Sequence, residues 1–544
     1  MNKMEPTTYR FKIPVPDEIT KIVSIIARSG GKGYLVGGIV RDAVIKSFHN
    51  LTVLNKDYDI EVFGLSLLDL EKALNEALDV PVSIEGKEYQ VLKVHKLLNG
   101  QPIDVAVARE EKSTGKGHKD FDVKENPDLS LAEAAHRRDL SINALYYDPL
   151  EEIVYDCYGG FEDIQESRLD LINQDRFIED PLRVLRVMQF AGRFNFEPTE
   201  DLVTTGKKIV EEKMLDHLPT ERITEEFLKW AYHSINPGLG LSYLEKIGAL
   251  EFLSPTVARL PQTKQTPEWH PEGSVWVHTL QCVNAAADIA KREQLTPYEK
   301  AILVFSSFCH DLGKTTTTEF RDQRNVYTSY GHHLAGQEMA QPFLQRLGLP
   351  SYLYASVPLM VKHHMQLRTL FINEQEQGDQ TKAFQRLQRE LNKTNVTIEM
   401  LLWLAEADMR ARNPKGKSDP LKRESVPEFL VIQQWTLGKL QMLRETGERE
   451  QDIITGAYLL EIIKETEGPW VGAMKELVHD FVTDAAVQDK FERPELFNGE
   501  GKVQEEIVTA LYETAQEYLH SSNTDWSVLQ DDDKLRDEII VQEL

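Results

Sequence analysis

A glycine pair between a predicted strand and a predicted helix constrains the fold of this chain most. Two aspartates, with a single residue between them, follow it closely. Gly37 and Gly38 follow a short apolar strand predicted at 34–36. A helix is predicted to start directly after them, with Arg41 in its first turn. Glycines at a strand-to-helix turn let backbone N–H groups approach a phosphate closely. An arginine at the start of the helix can bind phosphate oxygens. Gly37, Gly38 and Arg41 therefore form a candidate triphosphate site.

The two aspartates lie on the next predicted strand, in which polar and apolar residues alternate. Asp57 and Asp59 are two residues apart, so both side chains point to one face of the strand. Asp104, on another predicted strand, is a candidate third carboxylate. A glycine turn or a D-x-D alone is more often structural, but their order and spacing together favour a magnesium site for phosphoryl transfer.

The pattern of apolar residues changes near residue 165. Before it, predicted strands and helices alternate, and after it apolar residues recur at helical spacing. A chain of 544 residues is also too long for a single core. We therefore predict these parts: an N-terminal extension at 1–29, a head at 30–164, a helical neck and body at 165–260, a histidine-rich domain at 261–429 and a helical tail at 430–544.

Charge and cysteine content exclude several classes of protein. The net charge of −26 argues against a non-specific polyanion binder, because phosphate contacts need lysine and arginine, although a local basic stripe still permits RNA binding. The three cysteines form no C-x-x-C and indicate neither a zinc ribbon nor a disulfide framework. The N-terminus lacks the apolar core of a signal peptide, and no run of ~18 apolar residues occurs. We expect a cytoplasmic protein without a membrane span.

The ordered motifs of residues 30–260 resemble those of class II tRNA nucleotidyltransferases and bacterial poly(A) polymerases, within the polymerase β superfamily. Besides GG-x-x-RD and D-x-D, the chain has RRD-x-x-x-NA at 137–144, DCYGG at 156–160 and ED-x-x-R at 179–183. The resemblance implies an α+β fold: a polymerase-β-like head with a mixed sheet and helices, followed by an all-helical neck and body. It also implies that CCA is added to the 3′ end of tRNA from CTP and ATP with Mg²⁺.

The resemblance assigns nucleotide contacts to the third motif and to a loop. Arg138, Asp139 and Asn143 are expected at the triphosphate and sugar of the incoming nucleotide. The polar segment 110–130 stands where the family has a flexible loop that enzymes adding A retain. Its presence favours addition of the full CCA over addition of CC.

Base selection is assigned to the fourth motif. Asp180 and Arg183 are three residues apart and are expected on one helix face, where an acceptor beside a donor fork can satisfy the edge of C or A. Arg186 continues that face and is expected to meet phosphate. The family usually carries arginine three positions later, where this chain has Gln189, and this departure bears on tight nucleotide binding.

A second constellation lies in the histidine-rich domain. Seven of the fifteen histidines fall between His270 and His364, and the motif HDLGK occupies 310–314. Imidazole with carboxylate suits a divalent metal. The pattern resembles the HD phosphohydrolase superfamily, which implies a site for Mg²⁺, Mn²⁺ or Ni²⁺. By this resemblance the primary ligands are His278, His310, Asp311 and Asp408. A second metal would be bound by His332 and by His364, with His363 as the alternative to His364.

An HD domain behind such a head resembles the bacterial multifunctional CCA-adding enzymes, whose HD domain is a phosphatase and 2′,3′-cyclic phosphodiesterase. We expect tRNA, CTP and ATP as partners and leave the oligomeric state open. One alternative is a poly(A) polymerase or an enzyme that adds only A to tRNA. An alternative of another class is an HD hydrolase whose head is an RNA-binding module.

Overall fold

The computed structural model describes residues 5–51, 58–85, 91–98, 101–113, 121–394, 396–414, 419–453, 456–464, 469–485, 503–522 and 526. Contacts divide the chain into two compact units: residues 1–365 with 394–429, and residues 366–393 with 430–544. Across the described ranges, helices that combine the length and the apolarity needed to cross a membrane are absent.

The head is built on a mixed sheet with the strand order β1-β10-β9-β2-β3-β6-β5-β4. Neighbouring strands run antiparallel except β3 and β6, which run parallel. The strands are β1 (Thr7–Arg10), β2 (Lys32–Val36), β3 (Asp59–Phe63), β4 (Val82–Glu85), β5 (Val91–Leu98), β6 (Gln101–Val107), β7 (Arg109–Ser113), β8 (Phe121–Glu125), β9 (Leu145–Asp148) and β10 (Ile153–Asp156). The helices are α1 (Asp17–Arg28), α2 (Gly38–His49), α3 (Leu67–Ala77), α4 (Leu131–Ala135) and α5 (Gly160–Gln165). The predicted mixed sheet with helices is confirmed.

The first strand and helix belong to the head. β1 pairs with β10 at one edge of the sheet. Ile19, Ile22 and Ile26 recur at helical spacing on α1 and are fully buried. The head predicted to begin at residue 30 therefore begins earlier. β1 is short and largely exposed, so its sequence carries no apolar pattern that would reveal a strand.

The predicted flexible segment 110–130 contains a hairpin. β7 and β8 pair antiparallel from Arg109 opposite Glu125 to Ser113 opposite Phe121. Residues 114–120, between the two strands, lie outside the described residues. The segment ends at α4, whose first turn is closed by a capping box between Ser130 and Glu133.

Helices dominate after residue 165, with two short pairs of strands among them. The strands β11 (Arg168–Leu169) and β12 (Glu197–Pro198) pair parallel, and β13 (Glu319–Arg321) and β14 (Val326–Thr328) pair antiparallel. The helices are α6 (Gln174–Glu179), α7 (Arg183–Phe194), α8 (Glu200–Glu211), α9 (Thr220–His233), α10 (Pro237–Lys246), α11 (Leu250–Leu253), α12 (Pro255–Arg259), α13 (Val275–Arg292), α14 (Pro297–Cys309), α15 (Lys314–Thr317), α16 (His332–Arg346), α17 (Ser351–His363), α18 (Gln366–Gln377), α19 (Thr381–Asn392), α20 (Ile398–Arg410), α21 (Pro427–Ile453), α22 (Gly456–Ile463), α23 (Pro469–Ala485) and α24 (Glu505–Ser522).

The helical body packs directly against the histidine-rich helices. Trp230 of α9 is fully buried and meets Phe305 and Phe308 of α14 edge to face, with ring centroids 5.6 and 6.2 Å apart. The indole N–H of Trp230 donates to the carbonyl of Pro237, which satisfies its one polar group. This core fixes α14, whose C-terminal end carries the HD motif.

The second unit has its own apolar core and includes two helices from inside the predicted 261–429 domain. By their contacts, α18 and α19 belong to this unit. Trp435 of α21 meets the Phe384 ring of α19 at 5.6 Å and donates to Glu374 of α18. A further cluster in this unit is formed by Leu459, Trp470, Met474, Leu477, Leu511 and Tyr512. Amphipathic helices reveal an apolar face but not the partner that covers it, so the sequence does not show that α18 and α19 pack within this unit. The predicted bounds of the 261–429 domain stay a prediction.

Candidate active sites

The parallel pair of strands in the head places two of the predicted carboxylates side by side. Asp59 on β3 is the register partner of Asp104 on β6. Gly37 has φ +72°, and a Cβ there would lie 3.5 Å from Oδ2 of Asp59, so the glycine turn borders this carboxylate. The remaining predicted carboxylate, Asp57, lies outside the described residues.

The chemistry of this pair fits a divalent cation. Like charges directly opposite each other on neighbouring strands destabilise a sheet unless they are compensated. Lys93 contributes one cation, with its Nζ 3.6 Å from Oδ1 of Asp104. Both carboxylates reach solvent, since Asp59 is exposed and Asp104 is half-buried. Oxygen ligands of this kind are those that Mg²⁺ prefers.

Glu61 is a residue that the sequence analysis missed. It follows Asp59 by two positions, so it points to the same face of β3, but it is only 2% exposed. Its carboxylate accepts from Arg137 at 2.8 Å and from Arg138 at 2.9 Å. Burial opposes its ionisation, but the two guanidinium groups outweigh burial and lower the pKa of Glu61. Carboxylates recur every two residues along this strand, and this spacing could have identified Glu61 as a member of the same face.

Replacing Glu61 with glutamine should destabilise the head, because two half-buried arginines lose their buried counter-charge. We expect the free energy of unfolding to fall by about 3 kcal/mol near neutral pH. Since the pKa of Glu61 is lower in the folded state, its contribution is present above its ordinary value of 4.5 and is lost as pH falls through the folded value. Urea unfolding of both proteins at pH 7 and pH 3 tests this. A difference that grows towards low pH would contradict it.

The predicted nucleotide-binding residues meet in one chain of buried hydrogen bonds. Arg41 donates to Oδ1 of Asn143 at 2.8 Å, and Asn143 donates to Oδ1 of Asp139 at 2.9 Å. Arg186 donates to Oδ2 of Asp139 at 2.6 Å, and Arg138 donates to the carbonyl oxygen of Asn143 at 3.0 Å. These hydrogen bonds join the strand-to-helix turn to the third motif, and the third motif to the neck helix. Contact of these residues with a nucleotide stays a prediction.

Arg41 is more buried than we expect of a residue that binds the phosphates of an incoming nucleotide. It is 6% exposed, donates to Asp42 at 2.7 Å, and its guanidinium lies 4.9 Å from the ring centroids of both Phe190 and Phe194. These contacts suit a residue that positions α2 against α7. In this structure the exposed edge of the network is Arg186, whose side chain is 34% exposed.

Asp180 and Arg183 do not share a helix face, contrary to the sequence prediction. Asp180 has an extended backbone and precedes α7, because Pro181 disfavours the helical conformation of the residue before it. Its carboxylate accepts two hydrogen bonds from Arg222, at 2.9 and 3.2 Å. Arg183 donates to the backbone carbonyls of Arg176 and Arg137, at 2.9 and 2.7 Å. Both residues remain at the entrance to the neck helix, and Arg222 is a partner that the motif did not reveal.

Gln189 lies inside the neck. It is 2% exposed, and its Nε2 has no hydrogen-bond partner among the described residues. Arg186 lies one turn earlier on α7, and its side chain is 34% exposed. The departure from the family pattern therefore affects a buried position.

In the histidine-rich domain the structure gathers all the predicted HD ligands around Asp311. Oδ2 of Asp311 lies 3.3 Å from Nε2 of His310 and 3.8 Å from Nε2 of His278. Oδ1 lies 3.4 Å from Nε2 of His332. Asp408 of α20 reaches Nε2 of His278 at 3.0 Å. Groups with metal-ligand spacing form on both sides of this aspartate: His278, His310 and Asp311 on one side, and Asp311, His332 and His364 on the other.

Each of these imidazoles is oriented through its other nitrogen. Nδ1 of His310, His332 and His364 lies 2.7–2.8 Å from a backbone carbonyl three residues earlier. Nδ1 of His278 lies 2.7 Å from Oε1 of Glu272. All four therefore turn Nε2 towards the centre, as metal-ligating histidines do.

The donor set fits divalent metal ions. Nε2 of His310 is buried, and no hydrogen bond within the described residues satisfies it. Oδ2 of Asp311 is also buried, and its nearest cation is Nζ of Lys314, 2.8 Å away. Burial, together with His332 and His310, lowers the pKa of His364 to about 3, which keeps it a neutral ligand at pH 7. Nε2 of His364 lies 3.2 Å from Nε2 of His332. The geometry thus places His364, rather than His363, in the second group.

Three further residues support this centre without having been assigned a role from sequence. Glu272 accepts from both His278 and His270, at 2.7 and 2.9 Å. Lys314 lies 2.8 Å from Oδ2 of Asp311, and Arg412 lies 3.7 Å from Oδ2 of Asp408. Lys314 belongs to the HDLGK motif, and Arg412 follows Asp408 by four residues, just beyond the end of α20. The three- and four-residue spacing of opposite charges was the signal that the sequence offered for both pairs.

Gly313 of the HD motif lies where a side chain would strike the backbone of α16. A Cβ there would lie 2.0 Å from the carbonyl oxygen of His332 and 2.6 Å from the backbone nitrogen of Gly336. We expect Gly313→Ala to push His332 away from Asp311 and to lower metal occupancy by about tenfold or more. Metal analysis of the purified variant checks this. Full metal content with unchanged spectra of bound Co²⁺ would contradict it.

A cavity of about 700 Å³ opens over the HD centre. Its lining includes Asp311, His332, His364 and Asp408 from the centre. It also includes Lys314, Arg324, Arg412, Trp269, Tyr327 and Tyr330. A cavity with carboxylates and imidazoles at its base and cations in its walls suits an anionic substrate of nucleotide size.

Comparison with known proteins distinguishes the same two parts of the chain, the head and the histidine-rich domain. Residues 33–170 match the poly A polymerase head domain, and residues 275–402 match the HD domain. A structure of the Thermotoga maritima CCA-adding enzyme complexed with tRNA shares 19% identity over 86% of this chain and 91% of its own, with a TM-score of 0.51. A CCA-adding enzyme in complex with CTP shares 18% identity over 89% of this chain and 94% of its own, with a TM-score of 0.54.

A CCA-adding enzyme in complex with ATP gives the same TM-score of 0.54, at 18% identity over 94% of this chain and 96% of its own. At such identities the structures show a shared fold. Each family model matches about a quarter of the chain, so each describes only its own segment. The chain therefore has a segment similar to the poly A polymerase head domain and a segment similar to the HD domain, on a fold shared with CCA-adding enzymes.

Proposed function

We propose that the head adds nucleotides to the 3′ end of tRNA, building CCA from CTP and ATP with Mg²⁺. The observation that carries the proposal is the registered pair Asp59 and Asp104 beside the Gly37 turn. The fold relatives named as CCA-adding enzymes, with tRNA, CTP or ATP bound, support the choice of substrates.

Each part of the head has a role in this proposal. Asp59 and Asp104 would hold Mg²⁺, which assists attack by the tRNA 3′-hydroxyl and departure of pyrophosphate. Gly37 and Gly38 let the backbone approach the triphosphate. Asp180 and Arg183 are the proposed base-selecting pair, and their present hydrogen bonds to Arg222 and to backbone carbonyls must exchange when a base binds.

An extension assay tests the choice of nucleotide. tRNA that ends before the CCA is incubated with CTP alone, with ATP alone and with both. We expect two C residues with CTP alone and CCA with both. Incorporation of A without C would instead support a poly(A) polymerase or an enzyme that adds only A.

We also propose that the HD domain hydrolyses phosphate esters, including terminal phosphates and 2′,3′-cyclic phosphates of RNA. The observation that carries this is the two-sided cluster around Asp311 beneath a cavity lined by cations. Divalent ions held there by the HD ligands would lower the pKa of coordinated water. Water adds to phosphorus, one ester P–O bond breaks and the freed ribose oxygen takes a proton. A repaired end with a free 3′-hydroxyl is what the head requires.

Phosphorus NMR tests the hydrolase directly. The full chain is incubated with cytidine 2′,3′-cyclic phosphate and with Mg²⁺, Mn²⁺ or Ni²⁺ in turn. We expect the strained-ring resonance to be replaced by that of a monoester with at least one of these ions. An unchanged spectrum with all three would remove cyclic phosphates from the proposed substrates.

A further inference from the structure

The cavity over the HD centre is lined by exposed aromatic rings that have no role in the proposed hydrolysis. Trp269 and Tyr330 both line it, and they are 52% and 72% exposed. Rings of this size are normally buried or partnered, so two of them at one cavity offer a stacking surface. Neither belongs to the HD motif.

Hydrogen bonds tie together the two backbone segments that carry these rings. Thr266 Oγ1 accepts from the N–H of Tyr327 at 2.8 Å and donates to its carbonyl at 3.0 Å. The N–H of Trp269 donates to the carbonyl of Thr266 at 3.1 Å. The loop that carries Trp269 is therefore tied to the strand that leads to Tyr330. His332, a predicted metal ligand, follows Tyr330 by two residues.

A cation that lines the same cavity has no acidic partner among the described residues. Arg324 lies in the turn between β13 and β14 and lines the cavity. No carboxylate in the described part of the chain forms an ion pair with it. The other two cations of the cavity, Lys314 and Arg412, are paired with Asp311 and Asp408. Arg324 is thus the cation available to a ligand's phosphate.

We propose that the HD cavity binds the 3′-terminal nucleotide of an RNA chain. Its base stacks on Trp269 and Tyr330, its terminal ester phosphate lies at the HD centre, and Arg324 contacts the phosphate that joins it to the preceding nucleotide. The inference rests on the proposed hydrolase function and adds the residues that hold the base and the preceding phosphate of its substrate. The cavity volume of about 700 Å³ lies within the range of sites that enclose one nucleotide.

The stacking part is tested with two cyclic esters of the same ring size. Trp269→Ala and Tyr330→Ala should each lower kcat/KM for cytidine 2′,3′-cyclic phosphate about tenfold, because stacking of one base contributes about 5- to 150-fold in affinity. The rate on glycerol 1,2-cyclic phosphate, which has no base, should not change. Trp269→Phe and Tyr330→Phe are the matched controls and should keep most of the nucleotide rate.

The phosphate part is tested with RNA. Arg324→Gln should lower kcat/KM about tenfold on tRNA that ends in a 2′,3′-cyclic phosphate, through loss of one charge-assisted contact. The same variant should act normally on cytidine 2′,3′-cyclic phosphate, which lacks the preceding phosphate. Equal rates on tRNA for wild type and variant would overturn the assignment of RNA and leave a free mononucleotide as the ligand.

Binding separates the failure of this inference from failure of the hydrolase. If the wild type opens neither cyclic ester, the hydrolase proposal fails by itself, and calorimetry with 3′-cytidine monophosphate then decides about the cavity. We expect a binding event that is about tenfold weaker in Trp269→Ala, whereas nucleotide binding in the head is the same in both proteins. Identical isotherms, or cyclic-nucleotide rates unchanged in both alanine variants, would overturn the stacking site.

Discussion

Asp59→Ala should lower the rate of nucleotide incorporation into tRNA by about 1,000-fold or more. One of the registered carboxylates beside the Gly37 turn is then lost, and with it the proposed site for Mg²⁺. Loss of a metal ion that assists phosphoryl transfer removes several kcal/mol of transition-state stabilisation, and about 4 kcal/mol corresponds to this factor. Single-turnover incorporation of labelled CTP into tRNA that ends before the CCA measures the effect.

The control for Asp59→Ala removes an exposed carboxylate elsewhere in the head. Glu76 lies on α3 with its side chain 68% exposed, and Glu76→Ala should incorporate CTP at the wild-type rate. Opening of cyclic phosphates should be unchanged in both variants. Normal incorporation by Asp59→Ala would support the alternative in which the head is an RNA-binding module that serves the HD hydrolase.

Asp311→Ala should abolish hydrolysis of phosphate esters, with a fall of about 1,000-fold or more, and should leave nucleotide incorporation intact. Asp311 belongs to both groups with metal-ligand spacing, so its loss removes a ligand from each. The readouts are the rate on cytidine 2′,3′-cyclic phosphate and the number of metal ions per chain.

The matched control for Asp311→Ala is Glu338→Ala, which removes an exposed carboxylate from α16, the helix that begins with His332. It should keep both the metal and the hydrolytic rate. Normal hydrolysis by Asp311→Ala, or its loss together with nucleotide incorporation, would contradict the division of the chain into two independent centres.

Sequence spacing predicted the centres better than it predicted their contacts. The order of motifs indicated a mixed sheet, which the strand order confirms. The shared face of Asp57 and Asp59 stays a prediction, because Asp57 lies outside the described residues. The predicted HD ligands His278, His310, Asp311, His332 and His364 also lie in groups with metal-ligand spacing. They do so because α13 and α17 pack against α14, which HDLGK follows directly, and α16 packs against α17. Periodicity carries this information because it depends only on local geometry.

The partners of the charged residues depended on packing that no local pattern contains. Arg222, which binds Asp180, stands 42 positions away on α9. Glu61 looked like one more carboxylate on a solvated strand, yet Arg137 and Arg138 come from a segment about 76 residues later and bury it. Pro181 was the one local signal against a shared helix face for Asp180 and Arg183.

A crystal structure of the chain with CTP and Mn²⁺, which replaces Mg²⁺ and can be located by its anomalous scattering, tests the central claim most directly. We expect the ion about 2.1–2.2 Å from carboxylate oxygens of Asp59 and Asp104, with the triphosphate of CTP against the Gly37 turn. An ion bound to the triphosphate but remote from both aspartates would contradict the account of the head.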